Sequence, residues 1–443
     1  MSRSRSMRPG TLALAGIVSA ALIVPSAAMA QDGDRQVIEA WTHSAGNPAE
    51  VEVLDTVVGD FNASQDMYEV QRVDFPQADY NTSVVGASQG GLPCLLDVDG
   101  PVAPSWAWAN ILQPLEISDE VAATILPAAQ SSWDGELVSI GFFDAAVANY
   151  ARRSVLEASD IRIPTLDEPW TLEEFDAALE TLQATGEFDY AWDIGMWDSA
   201  GEWYPYAFAP FLQSFGGDLI DRETFLTSEG ILNGPEAVAF GEWFQSLVDR
   251  ELIPGPSQTQ AEGEAGFIGG NYAMQWNGNW RGVPTIEGFE ANGESVDDLL
   301  FLPAADLGNG AGTGPTIGAG SWQWGVTPDC EAPEGANAFI EFALQPQYLA
   351  MWSNTIGLFP ASQAALDQTE NYQEGGPLEV FFDLSEAQSL IRPPTPGYAT
   401  MALIFREALL DIANGADVQT TLDAAVDEIE ADIEANNGYG FSE

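Results

Sequence analysis

The chain has 443 residues with 68 acidic and 13 basic side chains, which give a formal net charge of −55. All 13 basic residues are arginine, and the lack of lysine excludes a Walker-type phosphate loop, a lysine Schiff base and a pyridoxal phosphate anchor. One histidine and two cysteines are too few for a two-histidine zinc protease site, a four-cysteine zinc site or an iron–sulfur cluster. The negative charge also disfavours nucleic acid and anionic membranes as partners.

The composition predicts a folded protein of two or three domain-sized units, since 46% of the residues are hydrophobic and 11% are aromatic. The acidic residues are spread along the chain instead of forming a tail. Such a distribution without lysine is typical of a surface adapted to high salt. Compositional drift in an acidic extracellular protein is the alternative.

The first thirty residues have the pattern of a secretory signal peptide. An apolar stretch over 12–24, too short to span a bilayer comfortably, leads to a small-residue cleavage site at 28–30. The amino-terminal part before it carries three basic residues, Arg3, Arg5 and Arg8. No cysteine follows the cleavage point, so we expect no lipid anchor there and a periplasmic or secreted product that can form a disulfide.

The next segment alternates strand and helix patterns. We predict, in chain order, a strand over 37–41, a helix around the apolar stripe 54–61, a strand over 68–73, a helix over 79–88 and a strand over 95–98. This order predicts a parallel sheet with covering helices. Ligands on such sheets bind beyond the carboxyl ends of the strands. The residues that follow these strands are therefore candidates for a site: Thr42, His43, Ser44, Asp97 and Asp99.

The rest of the chain is richer in helices. Thr171 and Glu174 form a capping box for a helix that ends near Ala184. A glycine- and proline-rich stretch over 307–320 predicts a connection. The remaining predicted elements are helices over 206–214 and 235–250, strands over 272–276 and 322–327, and a terminal helix along Leu422, Val426, Ile429 and Ile433 that Asn437-Gly438 would end.

Tryptophan is the outstanding residue type, because several of the 14 tryptophans stand beside glycine and polar residues and not inside apolar runs. An indole plane can cover the C–H face of a sugar ring while Asp, Glu, Asn, Gln or Arg binds its hydroxyl rim. The pattern therefore predicts a carbohydrate site. The alternative for any one tryptophan is packing in the core. The three clusters are Glu202-Trp203-Tyr204, Trp276 to Trp280 and Trp322-Gln323-Trp324.

Other motifs are weaker evidence for a catalytic or metal site. Ser88 lies in a formal GxSxG, but the lone histidine, His43, precedes it and the segment follows a helix, which argues against a hydrolase triad. Asp97-Val98-Asp99-Gly100 lacks the further ligands of a calcium loop. Among 68 acids a carboxylate pair for glycoside hydrolysis is easily found by chance. His43 either lies at the edge of a site or has a structural or exposed role.

The order of motifs resembles the extracellular, sugar-type solute-binding proteins of ABC importers, the family of maltose-binding protein. The resemblance runs through nearly the whole chain after the signal peptide. Each motif is short, and the order and spacing give the resemblance its specificity. The stretches that carry it are Ala40 to His43, Asp60 to Asn62, Gly91 to Pro93 with Asp97 to Pro101, Trp106 to Trp108 with Leu112 to Leu115, Glu202-Trp203 with Gly216 to Asp218, Ala273 to Trp280, Gly320 to Trp322 and Gly357 to Pro360.

The resemblance implies an α/β fold of two lobes, each a mostly parallel sheet flanked by helices, with a ligand cleft between them. The first lobe would hold residues 31–148 plus 310–345, and the second would hold 149–309 plus 346–443. Family positions carried onto this chain imply that the ligand-binding residues are Trp41, His43, Asp99, Glu202, Trp203, Trp280 and Trp322. Arg392, among prolines, is a further cleft candidate that could bind hydroxyls or a carboxylate, and a structural ion pair is its alternative.

The resemblance also implies a disulfide. The family usually has an acidic residue at the position of Cys94, and the strand that begins near Trp322 ends at Cys330. In the family's fold these two strands are antiparallel neighbours, so both cysteines would reach the same end of the sheet. We therefore expect a Cys94–Cys330 disulfide, and two unpaired buried thiols are the alternative.

The resemblance implies a binding protein and no enzyme. It would bind a mono- or oligosaccharide, close its lobes and dock on a membrane ABC permease, as a monomer, with no cofactor and no metal. Two alternatives stay open. One is a secreted glycoside hydrolase or lyase that uses the same aromatic residues, and the other is a binding protein for a cationic or peptide ligand.

Overall fold

The computed structural model describes residues 35–198 and 202–441, so the predicted signal peptide at 1–30 lies outside the described residues. In this part of the chain, no helix combines the length and the apolar character that a membrane crossing needs. The strands are β1 Gln36–Ala45, β2 Tyr68–Pro76, β3 Leu95–Asp99, β4 Gln130–Trp133, β5 Glu136–Arg152, β6 Tyr190–Asp193, β7 Tyr272–Gly278, β8 Leu299–Leu302, β9 Ile317–Val326, β10 Phe359–Pro360 and β11 Ser389–Leu390.

The helices lie between and after these strands. They are α1 Pro48–Ser64, α2 Gln77–Ala87, α3 Ala103–Trp108, α4 Asp119–Ala122, α5 Arg153–Ala158, α6 Leu172–Ala184, α7 Trp203–Phe215, α8 Pro235–Asp249, α9 Gln260–Gly266, α10 Gly282–Asn292, α11 Pro333–Ala343, α12 Pro346–Ile356, α13 Gln363–Leu366, α14 Glu379–Gln388, α15 Tyr398–Ala413 and α16 Val418–Ala435.

One long strand, β5, connects two sheet regions. The strand order is β2-β1-β3-β9-β5-β7-β6. Strand β5 pairs with β9 up to Ala146 and with β7 from Val147 onward, so its first half belongs to one region and its second half to the other. Strands β2, β1 and β3 are parallel, as the strand–helix alternation predicts. Strand β9 runs antiparallel to β3, as the family resemblance implies.

Local sequence signals explain where several helices begin and end. The capping box predicted at Thr171 and Glu174 is present, and α6 ends at Ala184 as expected. Helix α1 begins after Asn47, whose side chain accepts a hydrogen bond from the Glu50 amide. Helix α7 ends before Gly216, which takes a left-handed conformation at φ 109°.

The structure corrects two sequence interpretations. The stretch 307–320 is not a connection throughout, because β9 begins at Ile317. No strand was predicted over 136–152, where β5 lies. Residues from Val138 to Arg152 are buried without alternation, so the strand lacks the period-two pattern of a half-exposed strand.

The apolar side chains form two cores. The first core includes Ile38 of β1, Phe61 of α1, Phe339 of α11 and Trp352 of α12. The second core is larger and is built mainly from α6, α7, α8, α15, α16 and the second half of β5. Helix α12 therefore packs with α1 in the first core, although it follows residue 345.

The expected Cys94–Cys330 disulfide is present and joins residues separated by 236 positions. Cys94 directly precedes β3, and Cys330 follows β9, the antiparallel neighbour of β3. The disulfide therefore ties the two discontinuous segments of the first sheet region together at one end. The chain has two cysteines in all, and both are in this bond.

Candidate functional site

A buried arginine connects distant parts of the chain at the centre of the candidate site. Arg392 Nη1 donates to Glu202 Oε2 at 2.9 Å and to Asp99 Oδ2 at 3.3 Å, while Nη2 donates to Asp99 Oδ1 at 3.2 Å. Asp99 ends β3, and Glu202 directly precedes α7. The guanidinium thus joins the carboxyl edge of the first sheet region to a helix of the second core.

Two neighbours make room for this side chain. A Cβ atom at Gly320 would overlap Arg392 Nη2, so glycine at this position leaves room for the guanidinium where it lies. On another side, the guanidinium carbon lies 5.0 Å from the centre of the Tyr206 ring, which is a cation–π contact. The hydroxyl of Tyr398 donates to Glu202 Oε2 and so supports the same carboxylate.

The ion pair sets the ionisation of its members. Burial raises the pKa of Asp99 and of Glu202, and Arg392 offsets part of that rise by stabilising their charged forms. Burial alone would lower the pKa of Arg392, but Asp99, Tyr398 and Glu202 raise it overall, so the guanidinium stays charged. A buried cation shared by two carboxylates is stable only while all three groups remain together.

His43 forms a second buried cluster next to the first. Its Nδ1 lies 2.6 Å from Asp97 Oδ2, and its Nε2 lies 3.3 Å from Glu50 Oε2. Burial favours the neutral ring, but Asp97, Glu50 and Asp99 outweigh it and raise the pKa of His43. The imidazole also stacks on Trp322, with ring centres 3.5 Å apart and planes at 12°. Two carboxylates and an indole face thus surround a ring that favours the protonated form.

Three aromatic rings form a cluster beside Arg392. The rings of Trp203, Tyr206 and Trp280 have centres 6.0 to 6.2 Å apart, and Trp203 meets Trp280 edge to face. Trp203 is held by its indole N–H, which donates to the Ile194 carbonyl at 3.0 Å. A Cβ at Gly278 would overlap the Trp280 ring, so this glycine lets the indole lie flat against the end of β7.

Trp280 and Trp322 both contact the two apolar cores. Both side chains are partly buried. Trp41 is placed differently, because its ring packs on Phe75 at 4.8 Å and its indole N–H donates to Glu39. The structure therefore brings Arg392, Asp99 and Glu202 together, and it places Trp203 and Trp280 beside Tyr206, which contacts Arg392. His43 and Trp322 stack on each other in the neighbouring cluster, and Trp41 contacts a separate ring.

Three residues of this region were not predicted from the sequence. Tyr206 follows Glu202 by one helical turn, so the i, i+4 spacing on a helix that begins at Trp203 was an available signal. Tyr398 begins α15, far along the chain, and no local pattern connects it to Glu202. Asp144 lies within β5, and its Oδ1 accepts hydrogen bonds from the amides of Ala145 and Gly320.

Several polar atoms in this region are buried without a hydrogen-bond partner among the described residues. They are Tyr206 Oη, Arg392 Nε and Asp97 Oδ1. An unmet buried polar group costs about 1–3 kcal/mol, so a water molecule or a ligand that hydrogen-bonds to these atoms would be favoured here. Within residues 35–198 and 202–441, no cluster of three or more His, Cys, Asp or Glu side chains has the arrangement of a metal site.

Solved structures of similar shape share the fold. The GacH receptor of Streptomyces glaucescens, solved unliganded and with acarbose and an acarbose homolog, aligns with a TM-score of 0.74 at 18% identity over 91% of this chain and 99% of that chain. The maltose/maltodextrin-binding domain MalE of Bdellovibrio bacteriovorus, bound to maltotriose, aligns with a TM-score of 0.73 at 17% identity over 90% of this chain and all of that chain. The expected two-lobed α/β fold is therefore confirmed.

A third solved structure has a similar fold, and one known sequence also aligns with most of the chain. The cyclic alpha-maltosyl-1,6-maltose binding protein of Arthrobacter globiformis aligns with a TM-score of 0.69 at 21% identity over 90% of this chain and 100% of that chain. An uncharacterised lipoprotein from the oleD 5′ region of Streptomyces antibioticus is 26% identical over 373 residues, which are 80% of this chain and 77% of that protein. Residues 56–379 match the model of the bacterial extracellular solute-binding proteins, and the chain belongs to that family.

Proposed function

We propose that this protein binds a mono- or oligosaccharide outside the cytoplasm and delivers it to an ABC permease in the membrane by hinged closure of its two lobes. The observation that carries the proposal is the meeting of Trp203, Tyr206 and Trp280 with the Arg392–Asp99–Glu202 ion pair. Flat aromatic faces beside paired donors and acceptors match the two surfaces of a sugar ring. The sugar-binding proteins of similar fold support the same ligand class.

The lobes would be residues 31–148 plus 310–345 and residues 149–309 plus 346–443. Packing of α12 with α1 favours extending the first lobe through Ala365, which also belongs to the first core. One crossing would lie in β5, where its pairing changes partner between Ala146 and Val147. The other would lie near Gly310. A ligand that contacts both lobes favours the closed form only by its difference in affinity for the two forms.

In this proposal the protein binds its ligand without catalysis, cofactor or metal. Glycoside hydrolysis needs one carboxylic acid and one carboxylate that are free to exchange protons. Two carboxylates beside the aromatic cluster, Asp99 and Glu202, instead share the guanidinium of Arg392. Incubation with oligosaccharides and chromatography of the products tests the rival, since released sugars would establish a hydrolase or lyase.

The proposed location and assembly follow the family and the sequence. A signal peptide removed after residue 30 would release a monomer with no lipid anchor at that point, although the Streptomyces antibioticus relative is called a lipoprotein. Mass spectrometry of the mature amino terminus and light scattering of the purified protein test both statements. A lipid-modified terminus or a stable dimer would contradict them.

A thermal-shift screen over neutral sugars, amino sugars, polyamines and short peptides is the first test of ligand class. A tight ligand raises the melting temperature by mass action, and isothermal titration calorimetry then gives its affinity. We expect stabilisation by at least one saccharide. Stabilisation by polyamines or peptides alone would replace the carbohydrate proposal by its non-sugar alternative.

A further inference from the structure

The region around Arg392 contains more carboxyl groups than cations. Two cations face five carboxyl groups, and each cation is already shared by two of them. Arg392 pairs with Asp99 and Glu202, and His43 pairs with Asp97 and Glu50. The fifth carboxyl group, that of Asp144, forms no ion pair with any residue in the ranges 35–198 and 202–441.

Asp144 is buried, and its Oδ1 accepts hydrogen bonds from two backbone amides. The amides of Ala145 and Gly320 donate to it at 2.8 and 3.1 Å. Burial raises the pKa of Asp144 to about 6, while these two amides and the more distant Arg392 oppose the rise. Because Arg392 is engaged elsewhere, the negative charge of Asp144 is poorly compensated.

Tyr206 supplies the second, independent observation. Its side chain is 8% exposed, and its hydroxyl has no hydrogen-bond partner in the part of the chain that the structure describes. The Tyr206 ring lies 5.0 Å from the guanidinium carbon of Arg392, and this guanidinium approaches Gly320, whose amide donates to Asp144. Burial raises the pKa of Tyr206, Arg392 opposes the rise, and Asp144 and Asp99 add to it. A buried hydroxyl without a partner therefore lies in the same electrostatic neighbourhood as an undercompensated carboxylate.

We propose that Asp144 and Tyr206 recognise a positively charged nitrogen on the ligand, so that the ligand is an amino sugar and not a neutral sugar. This inference rests on the proposed carbohydrate function. A protonated amine has three donors and no acceptor, which suits a carboxylate and a phenol oxygen together. The amine supplies the missing positive charge. The sugar hydroxyls remain for Arg392 Nε, which also lacks a protein partner among the described residues.

The test is calorimetry with matched ligands. Glucosamine, galactosamine and their 1,4-linked oligomers are compared with the corresponding neutral glucose and galactose compounds and with the neutral N-acetyl compounds, at pH 7.5 and low salt. We expect the wild-type protein to bind at least one amino compound at least tenfold more tightly than both of its neutral counterparts. The same comparison in 1 M NaCl should reduce this preference, since salt screens part of the attraction.

Two variants assign the preference to these residues. Asp144→Asn keeps an oxygen for the two backbone amides but removes the charge, and it should reduce the amine preference at least tenfold. Tyr206→Phe removes only the unpartnered hydroxyl and should weaken amine binding at least threefold without loss of folding. Asp60→Asn, an exposed carboxylate on α1, is the charge-matched control and should bind as the wild type does.

The outcomes separate this inference from the function on which it rests. If a neutral sugar binds as tightly as its amino counterpart, or if Asp144→Asn keeps the preference, the amino-sugar inference is wrong while carbohydrate binding stands. If no saccharide binds and polyamines alone stabilise the protein in the thermal-shift screen, the carbohydrate function itself is wrong.

Discussion

The guanidinium of Arg392 bonds to both carboxylate oxygens of Asp99, a residue 293 positions earlier in the chain. The same guanidinium also binds Glu202, so one cation neutralises two largely buried carboxylates from different parts of the fold. A pair of this kind contributes little net stability compared with a well-packed apolar contact, but it is costly to break on one side. Its effect is to fix the relative positions of β3, α7 and the segment after β11.

Removal of the Arg392 charge should therefore destabilise the protein strongly. Arg392→Met leaves Asp99 and Glu202 without a cation, and we expect a loss of about 3–5 kcal/mol in the free energy of unfolding at pH 7.5, measured by urea denaturation. The loss should shrink as the pH falls, because the two carboxyl groups then take up protons. Arg162→Met is the control, since that arginine pairs with Glu174 at the surface, where such a pair contributes about 0–1 kcal/mol. Equal losses in both variants would contradict the central role of Arg392.

Trp280 should contribute more to ligand affinity than other accessible tryptophans. Trp280→Ala removes a ring that contacts Trp203 and Tyr206, and we expect saccharide binding at least tenfold weaker by calorimetry. Trp108→Ala is the matched control, because Trp108 is 44% exposed and contacts Trp133 and Tyr439, away from the aromatic cluster. Unchanged affinity in folded Trp280→Ala protein would remove this residue from the site.

Asp144 should make the ligand-free protein less stable at high pH. Burial raises the pKa of Asp144 from 3.8 to about 6. Between pH 3.8 and about pH 6, the folded state therefore holds a proton that the unfolded state has lost. The free energy of unfolding therefore falls as the pH rises through this window. Asp144→Asn removes this penalty and should stabilise the protein by up to about 3 kcal/mol at pH 8, with a smaller gain at pH 5.

Urea denaturation at the two pH values checks the expectation for Asp144. The charged and titratable neighbours that bear on it are Arg392, Tyr206 and Tyr372, and both tyrosine pKa values lie far above the range tested. Asp427→Asn, an exposed carboxylate on α16, is the control and should change the free energy of unfolding by less than about 0.5 kcal/mol at either pH. A loss of stability in Asp144→Asn at pH 8 would show that the carboxylate is better compensated than the structure indicates.

The disulfide should stabilise the fold by restricting the unfolded chain. Reduction, or the double substitution of Cys94 and Cys330 by serine, should lower the free energy of unfolding by about 2–5 kcal/mol, because the closed loop is long. Urea denaturation with and without reductant measures the effect. Thiol titration under denaturing, non-reducing conditions should find no free thiol, and a finding of two would contradict the bond.

The sequence predicts the first sheet region well and the site only in part. Alternating strand and helix patterns between Val37 and Asp99 predict the parallel order that β1, β2 and β3 adopt. Strand β5 escapes prediction because burial on both faces removes its alternation, and Asp144 is hidden with it. Arg392 stands out among prolines, yet its pairing with Asp99 depends on tertiary contacts that no local spacing encodes.

The continuity of β5 has a mechanical consequence. Its hydrogen-bonded backbone passes from one sheet region to the next without a loop, since it pairs with β9 at Ala146 and with β7 at Val147. Rotation of one region against the other would therefore change φ and ψ angles within β5, because the peptide groups themselves stay planar. The hydrogen bonds that β5 makes on both sides of this junction would oppose a large change there.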